Sequence, residues 1–256
     1  MKDFVLSDAW FWGIPNWVQF VLIALVAYLV GCFSFARFIA KLKKQDISKL
    51  GSGNPGAMNM IRQFGIFIGG TTFVLDAIKA GLPAVIVYHF YNVGGYAGVP
   101  TGAVFAGTQF PVGCFAAFLC GMFVVLGHIY PVTTRFKGGK GISSGVGLFW
   151  IMLGMANPWF WLLGLVFVLT WPVTISLTKV GSLCSLSYLA GFAVWQIGTL
   201  FDAYGTGNVW VSFCVAFIFL VVSFSWLAHY KNMRCLLSGE EHQTVMIKFK
   251  KKEKKV

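Results

Sequence analysis

Residues 141–178 read GISSGVGLFWIMLGMANPWFWLLGLVFVLTWPVTISLT, 38 residues without a charge, bracketed by Lys140 and Lys179. As one helix the stretch would extend about 57 Å, nearly twice the ~30 Å hydrocarbon core of a bilayer. It would also leave the two lysines on opposite sides. Asn157-Pro158, near its middle, is a turn signal. Splitting there gives two short spans and returns Lys179 to the side of Lys140. The chain is therefore expected to be a bundle of membrane-crossing helices.

Composition agrees. Of 256 residues, 57% are hydrophobic and 11% charged, and the mean hydropathy is +0.75. A soluble chain carries about 25% charged residues, so this one cannot cover a water-facing surface. The net charge of +12, from 20 Lys+Arg against 8 Asp+Glu, reports topology and attraction to anionic membrane lipids before any substrate. Nucleic acid is excluded as a partner because no water-soluble domain remains to hold it. The six cysteines are scattered with no C-x-x-C, so neither a disulfide framework nor a metal site is expected. The N-terminus lacks a basic n-region and does not read as a cleaved signal peptide.

A first span over about Trp17 to Phe38 places Ala24, Ala27, Gly31 and Ser34 on one face, where a neighbouring helix can approach closely. Lys41, Lys43, Lys44 and Lys49 follow it, whereas Lys2, Asp3 and Asp8 precede it. The N-terminus is thus expected outside and the lysines in the cytoplasm. Further spans cover about Phe64 to Phe90, about Pro111 to Tyr130, the two halves of 141–178, about Val180 to Phe201 and about Val209 to Ala228. Tyr91 to Phe110, uncharged and holding five glycines, reads as an outer or re-entrant loop. The expectation is an all-α membrane protein of about seven transmembrane helices, with a cytoplasmic C-terminus and 19 of the 20 Lys and Arg inside. Residues 1–240 read as a single membrane domain, and 241–256 as a basic, disordered tail.

Three polar clusters stand at the inner ends of spans. The first is Gly51-Ser52-Gly53-Asn54-Pro55-Gly56-Ala57-Met58-Asn59-Met60-Ile61-Arg62. Its glycines let backbone N–H groups converge on an anion, and Ser52, Asn54, Asn59 and Arg62 add side-chain donors. Gly51, Gly53 and Gly56 satisfy G-x-G-x-x-G, but the flanks are membrane helices rather than a βαβ unit, so a dinucleotide site is rejected. The second is His128-Ile-Tyr-Pro131 followed by Phe136-Lys137-Gly138-Gly139-Lys140-Gly141-Ile-Ser143-Ser144-Gly145. Two lysines around two glycines, opening into an apolar helix, suit a phosphate. A Walker A loop would need Gly where Thr134 stands. The third is His229-Tyr-Lys-Asn232-Met-Arg234.

One charge pair lies inside a span. Asp76 and Lys79 are spaced i, i+3, and a lone charge there costs about 2.5–3.5 kcal/mol on insertion scales. Pairing with each other, or with the lysines of the second cluster, relieves that cost. Structural pairing and support of a site both fit.

At these clusters the chain resembles the bacterial acyl-phosphate:glycerol-3-phosphate acyltransferases. The family pattern G-S-G-N-x-G-x-T-N-x-x-R corresponds to Gly51 through Arg62, and D-x-x-K to Asp76 and Lys79. G-H-x-Y-P with F-K-G-G-K-G-V-A-T corresponds to Gly127 through Ser144, and H-R-x-N with G-x-E to His229 through Glu241. Met58 stands for the Thr of the first motif, Ile142-Ser143-Ser144 for V-A-T, Tyr230 for an Arg, and Cys235 for a basic residue. The resemblance implies an integral enzyme of the bacterial plasma membrane with its active site on the cytoplasmic side, no metal and no cofactor. Its substrates would be acyl-phosphate and glycerol 3-phosphate.

On that resemblance the catalytic set is Ser52, Arg62, Lys140, His229 and Asn232. Lys137, Lys140 and the Gly138-Gly139-Gly141 backbone, with Ser144, are assigned to glycerol 3-phosphate. Ser52, Asn54 and Arg62, with Gly51, Gly53, Gly56 and Asn59, are assigned to the acyl-phosphate. His229 and Asn232 would position the sn-1 hydroxyl, while Asp76, Lys79 and His128 support the site. Ser52 as a covalent nucleophile ranks below positioning, since no base lies beside it in the motif.

Two rivals remain. A transporter or channel for a phosphorylated solute would also want basic, glycine-rich sites, but it usually places them near the midplane in paired repeats. An acyltransferase of the H-x4-D type needs an Asp five positions after a His, and none is present.

Overall fold

The computed structural model describes residues 16–92, 104–105, 108–109 and 111–239. Its described residues form ten α-helices and two short strands. The first four helices are α1 (Asn16–Cys32), α2 (Phe35–Leu42), α3 (Ala57–Phe64) and α4 (Ile66–Asn92). A two-residue antiparallel pairing of β1 (Val104–Phe105) with β2 (Thr108–Gln109) follows. Then come α5 (Val112–Ile129), α6 (Ile142–Ala156), α7 (Trp159–Thr178), α8 (Gly181–Tyr204), α9 (Val209–Ala228) and α10 (Tyr230–Leu237). The remainder of 91–110 and the basic tail 241–256 lie outside the described residues.

The chain is an all-α membrane protein. Among the described residues, six helical segments are long and apolar enough to cross a bilayer: Trp17–Leu42, Ile66–Tyr91, Val112–Thr134, Trp159–Thr178, Gly181–Tyr204 and Val209–Ala228. The helix α6 is apolar but only 15 residues long, about 22 Å. Asn157-Pro158 does separate α6 from α7, with Asn157 extended and its Oδ1 accepting from the Trp159 N–H. The two helices have different surroundings. Most of α6 is buried, from Ser143 to Gly154, whereas α7 buries only Gly164 and Ile175. Leu162, Val166, Leu169 and Val173 of α7 are exposed, an outward apolar surface suited to lipid.

The small-residue face of the first span works as expected. A Cβ on Gly31 would collide with the Val124 carbonyl, and one on Gly127 with the Tyr28 carbonyl. The backbones of α1 and α5 therefore touch, with Ala27 buried beside them.

The first span is nevertheless not one helix. It stops at Cys32 and restarts at Phe35, where Ser34 caps α2 by accepting the Arg37 N–H at 3.3 Å. Carbonyls freed by such a break need donors inside a bilayer. Lys79 of α4 supplies them, its Nζ lying 3.2 Å from the Gly31 oxygen and 2.8 Å from that of Phe33. The same ammonium pairs with Asp76 at 3.3 Å and donates to His128 Nδ1 at 3.0 Å. Of the two expectations for the buried pair, the structure shows Asp76 and Lys79 bonded to each other. The charge is resident because it holds a broken helix against its neighbours.

Candidate active site

The connection from α1–α2 to α4, the one from α5 to α6, the start of α8, and the start of α10 line one cavity of about 1200 Å³. All three polar clusters thus meet at one end of the bundle. Among the residues read from sequence, Ser52, Gly53, Asn54, Gly56, Asn59 and Arg62 of the first cluster line it. So do Asp76, His128, Lys137, Gly138, Lys140, Gly141, His229 and Asn232. Gly51 does not line it, and Gly139, Lys79 and Ser144 are buried behind its wall. Ser144 is fully buried within α6, its Oγ without a partner among the described residues.

The first loop is braced from inside. Asn59, 1% exposed, donates through Nδ2 to the Leu50 carbonyl and accepts the Ser52 N–H at Oδ1. Gly51 has φ +55, and a Cβ there would strike that same Oδ1. Asn59 therefore shapes the loop from within. Ser52 Oγ accepts the Asn54 N–H at 3.4 Å, which leaves its hydroxyl hydrogen available to a ligand. The next element, α3, starts at Gly56 with no side-chain cap.

The second loop corrects one expectation. The Gly138 N–H donates to the Ile129 carbonyl at 3.1 Å and the Gly139 N–H to that of His128 at 3.0 Å. Those two N–H groups close the end of α5 and do not cradle an anion. The glycines are there for room: a Cβ on Gly138 would meet the His128 carbonyl, and one on Gly139 the His128 ring. The anion-facing donors lie one step later, at the start of α6. Gly141, with φ +78, begins that helix, again without a side-chain cap, and Gly141, Ile142 and Ser143 line the cavity. Two helix N-termini, α3 and α6, open into the same space, and each carries roughly half a positive charge.

Formal charge adds to this. Arg37, Arg62, Lys137, Lys140 and Lys231 all line the cavity. Asp76 is the one carboxylate among the described lining residues, and Lys79 already pairs with it. Lys140 Nζ donates to Asn232 Oδ1 at 2.7 Å, and Asn232 Nδ2 donates to Ser182 Oγ at 3.1 Å. An ammonium has no acceptor, so it fixes which way the Asn232 amide points.

His229 caps α9 and is 3% exposed. Its Nδ1 lies 2.7 Å from the Ser225 carbonyl. A carbonyl only accepts, so Nδ1 carries the hydrogen and Nε2 keeps a lone pair. Burial, and secondarily the Lys140 charge, push its pKa down to about 4, against the opposing Ser225 hydrogen bond. It is a neutral imidazole at physiological pH.

Sequence reading missed Arg37, Ser182, Ser185 and Lys231, all of which line the cavity. Lys179-Val180-Gly181-Ser182 repeats, in short form, the signature of the other clusters: lysine, glycine and serine at the end of an apolar span. Phe73, Ile142 and Trp171 line both the cavity and an adjoining apolar crevice with Val146, Val168, Tyr188 and Phe192.

Comparison with known proteins bears on this site. A family model described as glycerol-3-phosphate acyltransferase matches residues 21–239. A glycerol-3-phosphate acyltransferase of Thermotoga petrophila is 34% identical over 228 residues, covering 89% of this chain and 97% of its own. One from Mycoplasmopsis pulmonis is 33% identical over 222 residues, covering 85% and 89%. The crystal structure of PlsY, an integral membrane glycerol 3-phosphate acyltransferase, in its glycerol 3-phosphate form aligns with a TM-score of 0.63 at 28% identity. That alignment covers 88% of this chain and 95% of the other; the lysophosphatidic acid form aligns with the same TM-score.

Proposed function

The chain belongs to the glycerol-3-phosphate acyltransferase family, and from that premise we propose that it transfers an acyl group from acyl-phosphate to the sn-1 hydroxyl of glycerol 3-phosphate, giving lysophosphatidic acid and phosphate. PlsY, in its glycerol 3-phosphate and lysophosphatidic acid forms, supplies the acceptor and the product by analogy. The observation that carries the reading is the pair of uncapped helix N-termini, α3 and α6, facing one cationic cavity. This reaction brings two phosphates together, one on each substrate.

An acyl-phosphate is an activated mixed anhydride whose phosphate leaves readily. The protein then needs to orient two anions and stabilise developing charge. The start of α3, with Ser52, Asn54 and Arg62, holds the acyl-phosphate. The start of α6, with Lys137 and Lys140, holds glycerol 3-phosphate. Asn232, fixed by Lys140, and the Nε2 lone pair of His229 orient the attacking hydroxyl. An imidazole with a pKa near 4 is a poor sink for that proton. A substrate phosphate oxygen, whose second pKa is about 6, takes it more readily. The acyl chain leaves past Phe73 and Trp171, whose rings stack at 6.0 Å, into the apolar crevice and the bilayer.

The same proposal includes seven spans, with α6 the short fourth one and the cavity on the cytoplasmic side of a bacterial plasma membrane. Supporting it, the stretches that line the cavity follow the first, third, fifth and seventh apolar segments. That places them on one side only if α6 crosses. Residues 1–240 form one enzymatic domain in this reading. A transporter is disfavoured because the donors gather at one end of the bundle.

The test is lysophosphatidic acid formation by purified protein given palmitoyl-phosphate and glycerol 3-phosphate without coenzyme A. Ser52→Ala, Arg62→Ala and Lys140→Ala should abolish it while leaving insertion intact. A trapped acyl-enzyme would overturn the positioning role of Ser52, and uptake without transfer would favour the transporter.

A further inference from the structure

We propose that Arg37 is an additional phosphate-binding residue, gripping from the side of the first span the same phosphate that Lys137, Lys140 and the start of α6 hold. The inference rests on the acyltransferase reading and extends it to a residue outside every motif quoted above.

Arg37 sits in the first turn of α2, immediately after the break, where Ser34 fixes its backbone. Its Nη2 donates at 2.8 Å to the Lys137 carbonyl, which also accepts from Thr134 Oγ1 at 2.9 Å. The side chain therefore reaches from the first span to the second loop and ends at the cavity wall. Its Nε is shielded from solvent and has no partner among the described residues. A shielded donor left unmade is costly, more so on a charged group.

Nothing among the described residues answers that donor. Asp76, the lining carboxylate, is committed to Lys79. Four further cations, Arg62, Lys137, Lys140 and Lys231, share the cavity, so a guanidinium brought in there adds repulsion. A phosphate monoester reverses the balance, offering oxygens to the donors and negative charge to the set. The residue type suits this task. A planar fork can hold the Lys137 carbonyl with one nitrogen and present other donors to a phosphate, which a single ammonium point charge cannot do with the same geometry. Because Arg37 is tied to the loop of Lys137, its phosphate is that of glycerol 3-phosphate.

Steady-state kinetics on purified wild type and Arg37→Gln in vesicles of neutral lipid, each substrate varied in turn, test the proposal. Loss of a charge-assisted hydrogen bond should raise KM for glycerol 3-phosphate roughly 10- to 100-fold. KM for palmitoyl-phosphate should change little, and Arg37→Lys should fall between the two. Inorganic phosphate, competing with glycerol 3-phosphate, should lose potency in parallel. Unchanged KM, equal rises for both substrates, or a fall in kcat alone would overturn the role and leave Arg37 as a brace of the loop. Calorimetric binding of inorganic phosphate separates this from the broader reading. It should weaken in Arg37→Gln even if the wild type forms no lysophosphatidic acid, and equal binding by both proteins would refute the inference by itself.

Discussion

Replacing Lys79 by Met probes the most heavily used side chain in the structure. Its ammonium serves the Gly31 and Phe33 carbonyls, Asp76 and His128 at distances from 2.8 to 3.3 Å. Met fills a similar volume but supplies no donor. Asp76, 1% exposed, would be left as a buried charge, and breaking such a pair costs about 3–5 kcal/mol. Two carbonyls at the break of the first span would also lose their donors, adding about 1 kcal/mol or more. With roughly 2–4 °C per kcal/mol for a chain of this size, the melting temperature should fall by about 8–24 °C. Five of the six cysteines are buried, so unfolding in detergent can be followed with a thiol-reactive dye. The second variant sharpens the test: Asp76→Asn added to Lys79→Met removes the stranded charge and should restore at least half of the loss. A single variant within about 1 kcal/mol of wild type, or a double variant no better than the single, would refute the reasoning.

Other outcomes follow from the same geometry. The folded pKa of His229, about 4, lies below its ordinary value of 6.5, so between those pH values the unfolded chain binds a proton that the folded chain excludes. Stability should therefore fall as pH drops through that window, by up to about 3 kcal/mol, and His229→Gln should flatten the dependence in chemical denaturation. An equally steep slope in the variant would contradict the assignment. Trp171→Ala, opening the crevice mouth, should raise KM for palmitoyl-phosphate roughly tenfold and leave that for glycerol 3-phosphate alone; the reverse pattern would move the acyl path elsewhere. Cys235, exposed and lining the cavity, should resist a membrane-impermeant maleimide in intact cells and react after permeabilisation. Labelling in intact cells would reverse the proposed orientation.

Much of this was legible in the chain because bilayer physics is strict. The uncharged run from 141 to 178 is too long for one crossing, and Asn157-Pro158 marks the division. The last span, Val209–Ala228, appears with the bounds expected. The three polar clusters, each beside the end of an apolar run, line one cavity. What stayed hidden depends on contacts between distant residues. The first span breaks at Phe33–Ser34, where no proline announces it, because Lys79 supplies donors from another helix. Gly138 and Gly139 look like a phosphate cradle until the carbonyls of His128 and Ile129 are seen to take their N–H groups. Ser182 lines the same cavity and is bonded to Asn232, fifty residues further on. Arg37 resembled a topological charge and is instead aimed at the second loop.

The central claim is that one cavity holds two phosphates at once, each at its own helix N-terminus. Titrating glycerol 3-phosphate calorimetrically into protein saturated with a non-hydrolysable acyl-phosphonate measures this directly. The account predicts that glycerol 3-phosphate still binds, and that Lys140→Ala removes this binding without displacing the phosphonate. Mutual exclusion of the two ligands would contradict it.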